Sequence, residues 1–206
     1  MTFKHTEFSS LKLVGLLIAA VCLSGCKTFT YSAMQPQPIP DISKSTREHY
    51  QPALRLKLPD VQVDVIAMHR VSASWPSPAV QGPGDKLLVW LALSPKADGV
   101  RFDPSRVRYR PEGEQPGRPS LVQGPARKPP WLTPGSKRFK TCYSSKYPFA
   151  LITGSVPVTK RACFRIVFDD DRGDLRTFTL FIEGISKSGK PLSVPPVVFK
   201  HKIFKY

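Results

Sequence analysis

Proline recurs so often along this chain that few stretches are long enough to wind into a helix. Twenty-two of the 206 residues are proline, roughly twice the usual share, and each interior proline removes a backbone donor and clashes with the turn before it. The residues between the prolines alternate as strands do. Leu54, Leu56 and Leu58 are interleaved with Arg55 and Lys57, and beyond Pro59 the residues Val61, Val63 and Val65 alternate with Gln62 and Asp64. Period two sends alternate side chains to opposite faces, the pattern of a half-buried strand. It runs toward Trp75 and ends in the proline and glycine cluster from Pro76 to Gly84. Residues 87 to 93, LLVWLAL, form a continuous apolar run, which fits a strand covered on both faces at the centre of a sheet.

Further along, Phe102-Asp103-Pro104-Ser105 signals a turn, and Arg106-Val107-Arg108-Tyr109-Arg110 reads as a strand with Val107 and Tyr109 on one side and three arginines on the other. Residues two apart on a strand stand about 6.6 Å apart on one face. Arg106, Arg108 and Arg110 are therefore the best-defined basic feature, either a ligand site or a charged edge that resists aggregation. Residues 111 to 140 are rich in Pro, Gly, Arg and Lys and read as a long irregular connection ending in Ser136-Lys137-Arg138-Phe139-Lys140. Lys137, Arg138 and Lys140 join the candidate binding set. The C-terminal third holds three alternating runs, Ala162 to Phe168, Arg176 to Glu183 and Leu192 to Phe204. They read as a three-stranded meander, with Pro195 and Pro196 marking an edge or bulge. The expectation is an all-β chain forming a single immunoglobulin-like or related antiparallel β-sandwich over residues 54–206.

The N-terminus carries different information. Lys4 and Lys12 precede an eleven-residue apolar run from Leu13 to Leu23, followed by Ser24 and Gly25, the layout of a secretory signal over residues 1–25. As a helix the run would reach only about 16 Å, roughly half of a bilayer core. Leu23-Ser24-Gly25-Cys26 resembles the lipobox of bacterial lipoproteins. That resemblance implies lipidation of Cys26, cleavage just before it, and stable attachment through several acyl chains. In the enterobacterial members of the family an aspartate after the cysteine retains the protein at the inner membrane. Here Lys27 follows, so the resemblance implies the outer membrane, facing the periplasm. Residues 26–53, including QPQPIP, lack a sustained period and read as a lipidated N-terminus with a Pro-rich tether, in which 43–50 could make one helical turn. With Cys22 removed and Cys26 lipidated, Cys142 and Cys163 remain, and an oxidising compartment favours a disulfide between them over two separate thiols or half a metal site.

The formal net charge is +16 and stays near +15 once the signal, with two lysines and one glutamate, is removed. Such a balance bears on partners rather than fold. In an envelope it points to anionic polymers such as lipopolysaccharide or peptidoglycan, and nothing around the basic residues resembles a nucleic-acid module. Gly184 to Lys190 copies a phosphate loop, but Pro191 stands where a hydroxyl is needed and a strand follows instead of a helix, so a hairpin turn is expected. Arg172-Gly173-Asp174 copies an adhesion tripeptide at what reads as an acidic turn through Asp169, Asp170, Asp171 and Asp174. The three mature histidines, His49, His69 and His201, are far apart in sequence, and no catalytic, metal or cofactor grouping is visible. The chain therefore reads as a non-catalytic, lipid-anchored binding or assembly module. A structural or pilot subunit of an envelope-spanning secretion or pilus complex is the alternative, and an enzyme acting on cell-wall or lipid substrates is a third reading.

Overall fold

The computed structural model describes residues 30–48, 51–69, 86–126, 150–170, 172 and 175–205. Two units are distinguished. One comprises Met1–Thr30 with Lys205–Tyr206, of which Thr30 and Lys205 alone are among the described residues. The other, Tyr31–Phe204, carries the fold.

Short strands separated by proline and glycine account for nearly all of it. In chain order they are β1 (Thr30–Pro36), β2 (Ser43–Glu48), β3 (Gln51–Lys57), β4 (Val61–His69), β5 (Lys86–Pro95), β6 (Val100–Phe102), β7 (Arg108–Pro111), β8 (Leu121–Ala126), β9 (Val156–Pro157), β10 (Ala162–Asp169), β11 (Thr177–Phe181), β12 (Ile185–Lys187), β13 (Lys190–Pro191) and β14 (Val197–Lys205). They form one six-stranded sheet, β2-β3-β4-β5-β10-β8, and two four-stranded sheets, β1-β14-β11-β7 and β13-β12-β6-β9. The fold is an all-β, antiparallel sandwich. Four consecutive strands, β2 to β5, lie side by side, an order unlike the four-plus-three arrangement of an immunoglobulin domain, so this is a related sandwich rather than that one.

The alternation seen in the sequence explains the core. Val61, Val63 and Val65 of β4, Leu87, Val89, Leu91 and Leu93 of β5, and Phe164, Ile166 and Phe168 of β10 all point the same way. They meet Phe178, Leu180, Val197 and Phe199 of one smaller sheet and Phe102 and Ile185 of the other. Aromatic pairs join the layers, Phe102 edge-on to Phe164 at 4.8 Å and Tyr109 tilted on Phe168 at 4.7 Å between ring centroids, geometries that add to simple burial. The opposite face of the large sheet is buried too, by a second cluster of Ala53, Ile66, Met68, Leu88, Trp90, Ala92, Cys163 and Val167. β5 is thus central and apolar on both sides, as LLVWLAL implies.

Five expectations are corrected. Residues 30–48 and 51–53 are no tether: β1 and β2 belong to the sheets, Met34 is fully buried, and β2 pairs with β3 from Ser43↔Leu56 to Glu48↔Gln51. Ser43 Oγ donates to the Ile39 carbonyl at 2.8 Å and accepts from its N–H at 2.6 Å, closing the turn after QPQPIP. The helical turn expected over 43–50 is therefore strand β2 for its described part. The connection expected over 111–140 contains β8, paired with β10. The C-terminal runs are not one meander, since β10 pairs with β5 and β8 whereas β11 pairs with β7 and β14. Finally, Arg106 lies outside the strand. Asp103 Oδ1 accepts from Ser105 N and Oγ at 3.1 and 2.6 Å and caps a 3-10 turn over Pro104–Arg106, so β7 starts at Arg108.

Candidate anionic-partner interface

Because β7, β11 and β14 present their apolar residues to the core, their other residues share the outer face of one sheet. Tyr109, Phe178, Leu180, Val197 and Phe199 point in. Arg108 stands opposite Phe181, Arg110 opposite Thr179, Thr179 opposite Val198, and Thr177 opposite Lys200. Lys202 is two residues beyond Lys200 on the same side of β14. With strands about 4.8 Å apart, Arg110 and Lys200 have Cα atoms roughly 12 Å apart across this face. Arg110 lies over the Phe181 ring, 5.1 Å from its centroid, which fixes the guanidinium against an apolar plate while its edge faces water. Arg108 Nη1 donates to the Ser105 carbonyl at 2.8 Å. Glu112, exposed, adjoins the set two residues past Arg110.

Two of the three predicted arginines therefore share a face, and Arg106 is exposed on the neighbouring 3-10 turn. Lys200 and Lys202 were not in the predicted set. Their own strand alternates Val198, Lys200, Lys202 against Val197 and Phe199, the one signal that could have found them. Lys137, Arg138, Lys140, Cys26 and Cys142 lie outside the described residues. Cys163 is buried on β10, facing away from the main core.

A second charged centre lies on the far face of the six-stranded sheet. Cross-strand register sets Arg55 opposite Asp64 and Asp64 opposite Ala92, with Gln62 opposite Ser94 in the next row. Asp64 is 1% exposed and Arg55 9% exposed. Asp64 Oδ1 accepts from Arg55 Nε at 2.7 Å, and Oδ2 from Arg161 Nη1 at 3.2 Å. Gln62 Nε2 reaches both oxygens at 3.2 Å.

The acidic turn is occupied by an ion cluster. Arg172 Nε donates to Asp170 Oδ1 at 2.7 Å, Nη2 to the Tyr109 hydroxyl at 2.8 Å, and Nη1 pairs with Glu114 at 2.5 Å. The hydrogen bond to Asp170 holds the guanidinium above its ordinary value against the opposing effect of burial. Burial likewise pushes the Tyr109 phenol up, with Asp170 adding to the effect and Arg172 opposing it. Arg172 is thus committed to the fold rather than displayed as part of an adhesion tripeptide. The phosphate-loop lookalike is a hairpin, with Ser188 (φ 49°) and Gly189 (φ 80°) at its tip and Lys187 paired with Asp60 at 2.5 Å, the left-handed pair that a two-residue turn requires.

Among the described residues no group of three or more His, Cys, Asp or Glu could hold a metal ion, and no helix is long and apolar enough to cross a membrane. No protein-family model, no curated protein and no solved structure matches the chain.

Proposed function

We propose that this is a lipid-anchored protein of the bacterial cell envelope, facing the periplasm from the outer membrane, that performs no catalysis and holds an anionic envelope polymer on a basic sheet face. The observation that carries this reading is the outer face of β7, β11 and β14, where Arg108, Arg110, Lys200 and Lys202 surround Thr177, Thr179 and Phe181. Cations spaced along a rigid sheet match a polymer with repeated phosphates or carboxylates, and threonine hydroxyls between them add hydrogen bonds without adding charge. The net charge of +16 supports the same class of partner, and the LSGC resemblance at residues 23–26 supplies the anchor at Cys26. A Cys142–Cys163 disulfide belongs to the reading. Its support is that Cys163 is buried on β10 and that an oxidising compartment favours pairing of two remaining thiols.

Retention of the chain from residue 27 onward on lipopolysaccharide or peptidoglycan tests it. Binding should weaken as salt rises from about 50 to 500 mM, since screening shortens the reach of each charge from about 14 to 4 Å. Arg108→Glu with Arg110→Glu should abolish it. Salt-resistant capture of a protein complex from solubilised envelopes, with no polymer binding, would instead favour the structural or pilot subunit.

A further inference from the structure

β14 outruns the core it helps to build. Val197 and Phe199 are buried, whereas His201, Lys202 and Ile203, which continue the strand, are exposed. Strand alternation sends His201 and Ile203 to the same side as Phe199, so their exposure means that the apolar layer ends before the strand does. β11 ends there too. Its last paired position is Thr177 opposite Lys200, and His201 N donates to the Arg176 carbonyl at 2.7 Å. Beyond that point, among the described residues, β1 is the neighbour of β14. Gln37 N, just past β1, donates at 2.8 Å to the Val198 carbonyl near the start of β14. The two strands therefore run antiparallel, and the beginning of β1 lies beside the projecting end of β14. Ile203 is 61% exposed; the other strongly exposed large apolar side chain among the described residues, Leu151, sits beside β8 in a different sheet. Lys200 and Lys202 are exposed next to it, and residues 200–206 read KHKIFKY, cations interleaved with apolar and aromatic residues.

We infer that this end of β14, with Lys200, Lys202 and Ile203, is a membrane contact whose partner is the headgroup layer of an anionic phospholipid leaflet. The inference takes its geometry from the proposed acylation of Cys26 and adds to it the side on which the sandwich meets the bilayer. Five peptide units separate Cys26 from Tyr31 at the beginning of β1, and they extend at most about 18 Å. Acyl chains on Cys26 would lie in the hydrocarbon. The beginning of β1, and the end of β14 beside it, are then held at the headgroups rather than at the remove a long Pro-rich tether would give. An exposed isoleucine there enters the boundary of the acyl chains while the lysines meet lipid phosphates, the two attractions that hold interfacial segments. One apolar side chain binds weakly alone, so the contact acts once the anchor holds the protein, and its effect is to orient the sheet.

Tryptophan quenching by lipids brominated on their acyl chains tests this, with the acylated protein on phosphatidylcholine vesicles that contain phosphatidylglycerol. The fluorescence of Ile203→Trp, taken as the difference from the native chain, should be blue-shifted and quenched, whereas that of Leu151→Trp should not. In a second arm the unacylated Cys26→Ser protein binds the same vesicles. Adding Ile203→Ser should weaken that binding about tenfold, the loss of one inserted aliphatic side chain, and leaving out phosphatidylglycerol should weaken it as well. The arms separate this contact from the anchor. A protein that is not acylated at Cys26, yet keeps the Ile203 dependence in the second arm, refutes the anchor and upholds the contact. An acylated protein that sediments with vesicles while Ile203→Trp stays unquenched upholds the anchor and overturns the contact. Equal quenching of Leu151→Trp, or unchanged binding on Ile203→Ser, overturns it too. So does a blue shift of Ile203→Trp that grows with protein concentration in the absence of vesicles, which would assign the end of β14 to a second copy of this chain.

Discussion

Tyr109 ties the core to the acidic turn, its ring on Phe168 and its hydroxyl accepting from Arg172 and donating to the Asp169 carbonyl at 3.3 Å. Burial raises the phenol above its ordinary value of 10.0, so the folded state favours the protonated form. The sign follows: this contribution is intact below about pH 10 and is lost as pH rises through the folded-state value. Urea midpoints measured from pH 8.5 to 11 should fall more steeply for the native chain than for Tyr109→Phe, and parallel curves would refute the assignment. Gly184 is a second residue with one job. At φ +88° a Cβ there would stand 2.3 Å from the Asp103 carbonyl oxygen, and its own carbonyl accepts from Asp103 N at 3.0 Å. Gly184→Ala combines a left-handed backbone with a backbone clash and should cost at least ~2 kcal/mol in urea unfolding. A loss below about 0.5 kcal/mol would mean that the Asp103 turn gives way easily.

Strands with apolar alternation were legible, and strands made by backbone pairing alone were not. β4, β5, β10 and β11 announce themselves through Val63, Leu91, Phe164 and Leu180. β2 reads SKSTRE, with no apolar side to detect, and polar edge strands of this kind shield a sheet from pairing with another chain. Periodicity also specifies a face without naming a neighbour. Phe164 and Phe178 point into one core from different sheets, which the alternation of each strand permits equally well as a meander. The candidate face was half legible for the same reason: Arg108 and Arg110 are close in sequence, whereas Lys200 reaches them only across β11. Asp103-Pro104-Ser105 signalled the turn that takes Arg106 out of the strand. These corrections relocate the start of the folded unit. A chain beginning at Leu54, where the alternation starts, lacks β1, β2 and part of β3, and with them the buried Met34 and Ala53. It should not fold cooperatively, whereas one beginning at residue 30 should. Amide proton dispersion distinguishes the two, and a well-dispersed spectrum from the shorter chain would show β1 and β2 to be dispensable.

At the scale of the whole molecule, the proposed anchor and the basic face reinforce each other. A lipid chain confines the protein to a surface, so a polymer in that surface is met at an effective concentration in the millimolar range rather than at its bulk value. Electrostatic attraction in turn slows departure, and such pairs of weak signals hold more firmly than either alone. Screening acts on the second signal only: at 0.5 M salt the charges reach about 4 Å, while burial of acyl chains is almost unaffected. Three proteins on anionic vesicles carrying lipopolysaccharide therefore separate the contributions. The lipidated native chain should sediment with vesicles at both about 0.05 and about 0.5 M salt. Cys26→Ser should sediment at low salt and be released at high salt. Cys26→Ser with Arg108→Glu and Arg110→Glu should stay in solution at both. If the last protein still sediments at low salt as well as the single variant does, the attraction is spread over the entire +16 surface and the face of β7, β11 and β14 has no special role.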